Sequence, residues 1–219
     1  MRILGLSFGF HDAGACMLDG DQIEFAGHSE RYSKEKNDAW INNELINAAI
    51  EGGKPDVIVL HEKAWAKRMR NLYAGNWRAL REPTQRQWIK KFYPQLAGIP
   101  IKDYWHHETH AGAGALSSEF DECAVMVIDA IGEFDCASIW QWKDNNLKKI
   151  HSVKFPSSLG LFYSAVTHHV GLKPMEDEYI LMGMAAYGKP ENWKPLSKKM
   201  GERYFRMKHP WMSFRKSIQ

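Results

Sequence analysis

Two histidines one helical turn apart, His106 and His110 in the run W-H-H-E-T-H, are the residues whose types and spacing speak first to chemistry. On a helix both imidazoles leave one face, a spacing by which a single helix offers a metal two nitrogens. Downstream, the apolar run Val125-Met126-Val127-Ile128 ends on Asp129, where a sheet delivers a side chain to its rim. Two neutral imidazoles and a carboxylate suit a divalent transition metal, with iron, zinc and manganese as candidates. An H-x-x-x-H pair without the glutamate of a zincin also arises by coincidence. The rest of the chain has to decide.

The elements that must position these residues can be read in order. Short apolar runs at 2–7, 13–18 and 22–27 predict three antiparallel strands, the last two joined through Asp19-Gly20, a hairpin signal. A charged loop over 29–38 leads to a helix at 41–50, which stops at Gly52-Gly53, and a buried strand follows at 57–60. After a further strand at 99–104 comes the 106–116 helix, rich in Ala and Gly and suited to close packing. Strands at 123–129, 136–142 and 147–153 and a helix at 159–170 then repeat the opening order. The segment 175–188 reads as a loop, and 196–219 as a basic tail.

A β-β-β-α unit thus occurs twice, predicting an α/β fold of two lobes with a cleft between them. The first lobe is expected over 1–119 and a partial second lobe over 120–219. The turn after each first strand carries glycine and acid: Gly9 with Asp12, then Asp129 with Gly132 and Glu133. Such turns are expected to let backbone N–H groups approach phosphate oxygens.

The segment from about 63 to 95 differs in kind. Nine basic residues between Lys63 and Lys91 meet only Glu82 in opposition, with Trp65, Trp77 and Trp88 interleaved. Two basic helices broken near Gly75 and Pro83 are expected. Basic residues among aromatics can bind nucleic acid; the reading preferred here is a solvated insertion lining a cleft for anionic or ring-shaped ligands. A net charge of +3 is too small to argue for nucleic acid alone. The three cysteines have no metal-ligand spacing, so reduced thiols and a cytoplasmic location are expected. Met1-Arg2 runs straight into a strand, without the look of a signal peptide, and no apolar run approaches the roughly 20 residues of a membrane span.

Six motifs, in order, resemble the O-carbamoyltransferases of the nodulation-protein and antibiotic-tailoring type, relatives of the tRNA threonylcarbamoyl transferases. They are I-L-G-L-S-F-G-F-H-D-A-G-A-C-M-L from Ile3, the loop from Glu30-Arg31 to Asp38, H-H-x-x-H from His106, I-D-A-I-G-E from Ile128, F-P-S-S-L-G-L-F-Y from Phe155, and E-Y-I-L-M-G-M-A-A-Y-G from Glu178. The resemblance implies an actin-like fold of the sugar kinase and Hsp70 type. It implies transfer of a carbamoyl group from carbamoyl adenylate, made from carbamoyl phosphate and ATP, to a hydroxyl of a sugar-like acceptor. It further implies that His106, His110 and Asp129 hold an iron-type metal, that Lys36 meets the carbamoyl or phosphate group, and that Asp129 and Gly132 face the nucleotide.

An acceptor hydroxyl needs a base, and His11 in the first turn is the candidate; its structural alternative is a turn histidine bonded to its own backbone. Lys36 has the alternative of a solvated surface lysine. The family's Asp-Gly stands here as Asp129-Ala130, and its Ala-Pro as Ala185-Ala186. Family enzymes are more than twice this length, so a truncated or split carbamoyltransferase is expected, self-associating or completed by a second chain. The alternatives are a non-catalytic metal- or nucleotide-binding remnant, a regulatory subunit, or a protein like the tRNA threonylcarbamoyl transferases.

Overall fold

The structure is a computed structural model and describes residues 1–189, Glu191 and Lys198; the expected basic tail lies outside the described residues. The chain divides into two compact units, Met1–Thr109 and His110–Gln219. The division falls inside a helix, near the middle of the chain.

The first unit opens with strands β1 (Arg2–Ser7), β2 (Gly14–Asp19) and β3 (Gln22–His28), as the alternating apolar runs predict. A short helix α1 (Glu30–Ser33) stands within the expected charged loop. Helix α2 (Asn43–Ala49) starts where the Asn42 side chain accepts the Leu45 N–H. Strand β4 (Val57–Leu60) then pairs parallel to β1, with Ile3 opposite Val57. The insertion follows as helix α3 (Ala64–Tyr73), a 3₁₀ turn at Trp77–Leu80 and helix α4 (Gln85–Phe92). Gly75, at φ +83°, ends α3. Thr84 and Gln87 cap α4 reciprocally. Strand β5 (Ile101–Asp103) pairs parallel to β4, giving a mixed sheet of order β3-β2-β1-β4-β5. Its core joins Leu4, Leu6 and Phe8 to Leu45 and Ile46 of α2 and to Ile89 and Tyr93 from the insertion. Ile89 and Tyr93 are what fasten the insertion down.

Helix α5 (His106–Leu116) runs through the division. In the second unit, β6 (Cys123–Ile128), β7 (Asp135–Lys143) and β8 (Asn146–Lys154) form an antiparallel sheet in that order. Asp144 and Asn145, both at positive φ, make the tight β7–β8 turn. Ala111 of α5 packs with Val127 and Trp140. Gly114 lets the helix approach, since a Cβ there would stand 3.3 Å from Val125 Cγ1.

Helix α6 (Leu159–His169) follows as expected, but the expected loop over 175–188 contains helix α7 (Glu178–Ala185). Its residues are apolar on nearly every side, so no 3.6-residue stripe marks them. The start is secured instead by Glu178, whose carboxylate accepts the Ser164 hydroxyl at 2.5 Å and the Met175 N–H at 2.7 Å. Among the described residues no helix is long and apolar enough to cross a membrane. None of the three cysteines forms a disulfide.

Candidate metal centre

Helix α5 fixes His106 relative to His110 through its own geometry, because the i and i+4 positions lie on one side. The neighbouring side carries His107, Ala111 and Ala115, all buried. His107 is 1% exposed and therefore faces the packing side of the helix. Ala111 against Val127 brings His110, one residue earlier, towards Asp129, which directly follows β6.

The outcome is a cluster: one ligand atom each from His106, His110 and Asp129, all within 4.8 Å of one another. His110 is exposed and the other two are half-buried. Donors about 2.0–2.2 Å from a shared metal stand about 3–4.4 Å apart, so this nitrogen, nitrogen and carboxylate set fits a first-row divalent ion with small side-chain adjustment.

The turn bearing Asp129 is held from behind by residues to which the sequence motifs assigned no role. The Asp129 N–H donates to the Cys136 carbonyl at 2.9 Å, and its Oδ1 accepts the Ala130 N–H at 2.6 Å. Ser158, the N-cap of α6, accepts the Leu161 N–H at 3.0 Å and donates to the Ala130 carbonyl at 2.6 Å. A Cβ on Gly160 would lie 2.6 Å from Ala130 Cα. Only glycine lets α6 begin against this turn. The signal was present in F-P-S-S-L-G, but nothing local says what the glycine approaches.

The first unit's turn is built otherwise. Gly9 takes φ +91° and Asp12 φ +48°. The loop after α1 is tied to this turn by two backbone bonds, Gly9 N–H to the Ala39 carbonyl and Ala13 N–H to the Asp38 carbonyl, each 2.7 Å. That attaches the exposed Lys36, at the apex between Lys34 and Asn37 at positive φ, to the segment carrying His11. His11 Nδ1 stands 2.8 Å from Asp12 Oδ2 and the ring is about half exposed. Its partner is therefore a carboxylate rather than its own backbone. With Nδ1–H donating to Asp12, Nε2 keeps its lone pair.

The expected use of glycine N–H groups on phosphate does not match these bonds. Gly9 donates to Ala39, and Gly132 donates to the Asp135 carbonyl at 2.8 Å. Both N–H groups are satisfied by backbone carbonyls, and Gly132 is buried.

His61, immediately after β4, is a neighbour that the motifs missed: its ring centroid lies 5.4 Å from that of His106. Burial lowers its pKa to about 4, with the charges of His106 and Lys67 adding to the effect and Glu62 and the Leu6 backbone opposing it. His61 is thus neutral at physiological pH.

Residues 90–218 match the profile of the family described as carbamoyltransferase N-terminus. The chain belongs to that family. An uncharacterized protein of Synechocystis sp., sll1178, is 34% identical over 216 residues, covering 87% of this chain and 35% of the relative. Nodulation protein NolO of Bradyrhizobium diazoefficiens is 34% identical over 91 residues, covering 42% of this chain and 16% of NolO. An uncharacterized protein of Methanocaldococcus jannaschii, MJ1051, is 28% identical over 185 residues, covering 84% and 33%. The chain spans about a third or less of the length of these relatives. The NolO match agrees with the resemblance read from the six motifs.

Proposed function

We propose that this chain is the N-terminal part of an O-carbamoyltransferase with an actin-like fold. It takes part in transferring the carbamoyl group of carbamoyl adenylate, formed from carbamoyl phosphate and ATP, to a hydroxyl of a sugar-like acceptor. The observation carrying this reading is the convergence of His106, His110 and Asp129 in a chain of the carbamoyltransferase N-terminus family. The β-β-β-α order present in each unit supports the actin-like reading.

His106, His110 and Asp129 would hold a divalent metal, iron as the family resemblance implies, with zinc or manganese as substitutes that the donor set also suits. When bound it would act as a Lewis acid on the carbamoyl carbonyl or neutralise the leaving phosphate. The chain's own groups do the rest. His11 Nε2 accepts the acceptor hydroxyl proton as that oxygen bonds to the carbamoyl carbon; the carbon–oxygen bond to the adenylate phosphate breaks and AMP leaves with the electron pair. Asp12 orients the imidazole and stabilises its charged form. Lys36 supplies a mobile positive charge for the carbamoyl or phosphate oxygens. Asp129 and Gly132 bear on the nucleotide through the shape of their turn, since the Gly132 N–H is engaged within it.

The rest of the relatives' length, a second chain or self-association would complete the machinery. A nucleic-acid role is not favoured, because acids from outside the basic segment answer part of its charge. Lys67 pairs with Glu62 at 2.8 Å and Arg86 with Asp103 at 2.8 Å. A cytoplasmic location fits the same reading.

The test is metal content of the purified chain beside the His106→Ala/His110→Ala variant, with carbamoyl-phosphate-dependent ATP turnover on the same samples. Stoichiometric metal that disappears in the variant supports the site, and turnover alongside it supports an active enzyme. Metal without turnover favours a half-site that awaits a partner. No metal in either protein would sink the metal centre.

A further inference from the structure

The insertion of the first unit turns its largest apolar side chains to water. Helix α3 spaces Trp65, Met69 and Tyr73 four residues apart, so they form one stripe, and the three are 62%, 54% and 73% exposed. The side facing the protein carries buried Ala66 beside half-buried Lys67, Arg70 and Asn71. The 3₁₀ turn repeats the inversion: Ala79 is buried, while Trp77 and Leu80 are 71% and 57% exposed. A surface helix ordinarily packs the other way, with its apolar stripe against the core. Large apolar residues gathered on one exposed stretch mark a contact surface, as single scattered ones do not.

Trp65 is held in this outward pose, since its ring meets that of Trp105 edge-on at 5.8 Å, and Lys63 Nζ stands 5.2 Å from the Trp105 centroid. None of the five outward residues lines the hollow between α3 and α4. The stripe is the convex outer side of a helix, shaped to enter a deformable apolar medium.

Charge gives the sign of that medium. Residues 63–91 hold nine basic residues and one acid, Glu82. Lys67 and Arg86 are answered by Glu62 and Asp103, and the Arg68 guanidinium bonds the Glu82 carbonyl. Arg78 and Arg81, which flank Ala79 and Leu80 on and just after the turn, are exposed. A nucleic acid strand would stack its bases on the aromatic rings but offers nothing to bury Met69 and Leu80. A bilayer containing anionic lipid meets both needs, with acyl chains for the apolar side chains and phosphates for the guanidinium groups, and indoles favour the boundary between them. We propose that this face attaches the chain to an anionic membrane surface, lying on the bilayer with Trp65, Met69, Tyr73, Trp77 and Leu80 inserted and Arg78 and Arg81 at the headgroups. The assignment is independent of the carbamoyltransferase reading: it stands whether or not metal or turnover is found.

The experiment floats the purified full chain with vesicles of phosphatidylcholine alone and with about 30% phosphatidylglycerol, following tryptophan emission and metal content on the same samples. The expected result is binding to the anionic vesicles, half complete below about 1 mM lipid and roughly tenfold weaker on the neutral ones, with a blue shift of the emission. Trp65→Ser/Met69→Ser/Tyr73→Ser and Trp77→Ser/Leu80→Ser are each expected to weaken binding about tenfold or more. Arg78→Glu/Arg81→Glu is expected to remove the preference for anionic lipid. Metal content should match the wild type throughout. The Trp77/Leu80 variant keeps the test informative if loss of Trp65 disturbs Trp105. Four results would overturn the proposal. The first is no flotation up to about 5 mM anionic lipid. The second is flotation that both apolar variants leave intact, which is adsorption by charge alone. The third is binding of a poly(U) oligonucleotide without binding of vesicles, which would make the face a nucleic-acid surface. The fourth is a dimer abolished by the same variants without binding of vesicles, which would make it a protein interface.

Discussion

The two units repeat an order of elements and then use the turn after the first strand in different ways. In the first, Gly9 and Asp12 both take positive φ, and a loop from outside the turn ties it down through Ala39 and Asp38. Its acid, Asp12, is spent orienting His11. In the second, none of residues 129–134 takes positive φ, and the turn is tied to its own hairpin through Cys136 and Asp135. Its acid, Asp129, stands with the two histidines of α5. The glycine that close approach demands has moved from the turn to the helix behind it, at Gly160. Strand–turn scaffolds of one kind thus make a histidine–carboxylate pair in one unit and a candidate metal-binding rim in the other.

The sharpest way to break this contrast is to remove each acid's charge while keeping its shape. Asp12→Asn is expected to lower the transfer rate by about 10²-fold or more, as loss of an oriented base does, with metal content unchanged. Asp129→Asn is expected to release the metal, read by elemental analysis. If Asp12→Asn released metal as well, or Asp129→Asn kept it, the division of labour between the turns would fall.

Next in size is the backing of the second turn. Gly160→Ala drives a Cβ into backbone atoms of Asp129 and Ala130, which cannot swing aside. It is expected to cost about 1–3 kcal/mol in urea unfolding and to weaken metal binding. Gly112→Ala, in α5 with no atom within 4 Å of the added Cβ, is the control and should be neutral or slightly stabilising. Equal losses in the two would mean that helix glycines matter here for some other reason than close approach. Ser158→Ala removes both the cap of α6 and the bond to the Ala130 carbonyl, for about 1–2 kcal/mol, again with some loss of metal.

These sites show what was legible in the sequence. Strand and helix order was readable because apolar periodicity is a local property, and the i, i+4 spacing of His106 and His110 needs only a helix to become a shared face. The convergence of Asp129 on them followed from the family resemblance, since packing of Ala111 on Val127 is a long-range event. Helix α7 was illegible because its faces are nearly uniformly apolar and its start is anchored by Glu178 bonding Ser164 on another helix rather than by a cap. The basic segment looked unopposed because its partners stand outside it, Glu62 just before its first residue and Asp103 in strand β5. Gln85 carries no motif, and Gly160 lies in one that does not say what it approaches; each owes its place to a backbone segment far away in sequence, Phe8 for Gln85 and Ala130 for Gly160.

The smallest expected effect concerns the loop that ties down the first turn. The Tyr93 hydroxyl donates to the Ile41 carbonyl, just beyond residues 38 and 39 that bond to Ala13 and Gly9. Burial raises the Tyr93 pKa above 10, with the Asp38 charge adding and the contact with Trp88 opposing. A folded pKa above the unfolded one means that the folded state holds its proton longer. The hydroxyl's contribution is then fully present below pH 10 and declines as pH rises through the folded value. Tyr93→Phe should therefore cost about 1 kcal/mol at pH 7, since the buried carbonyl loses its donor. The stability gap between the two proteins should narrow above pH 10, while the metal content of the two stays equal throughout. Urea midpoints at pH 7, 9, 10 and 11 would show it. No gap at pH 7 would mean that Tyr93 contributes by packing alone. The loop would then be held to the first turn by its two backbone bonds without help from that hydroxyl.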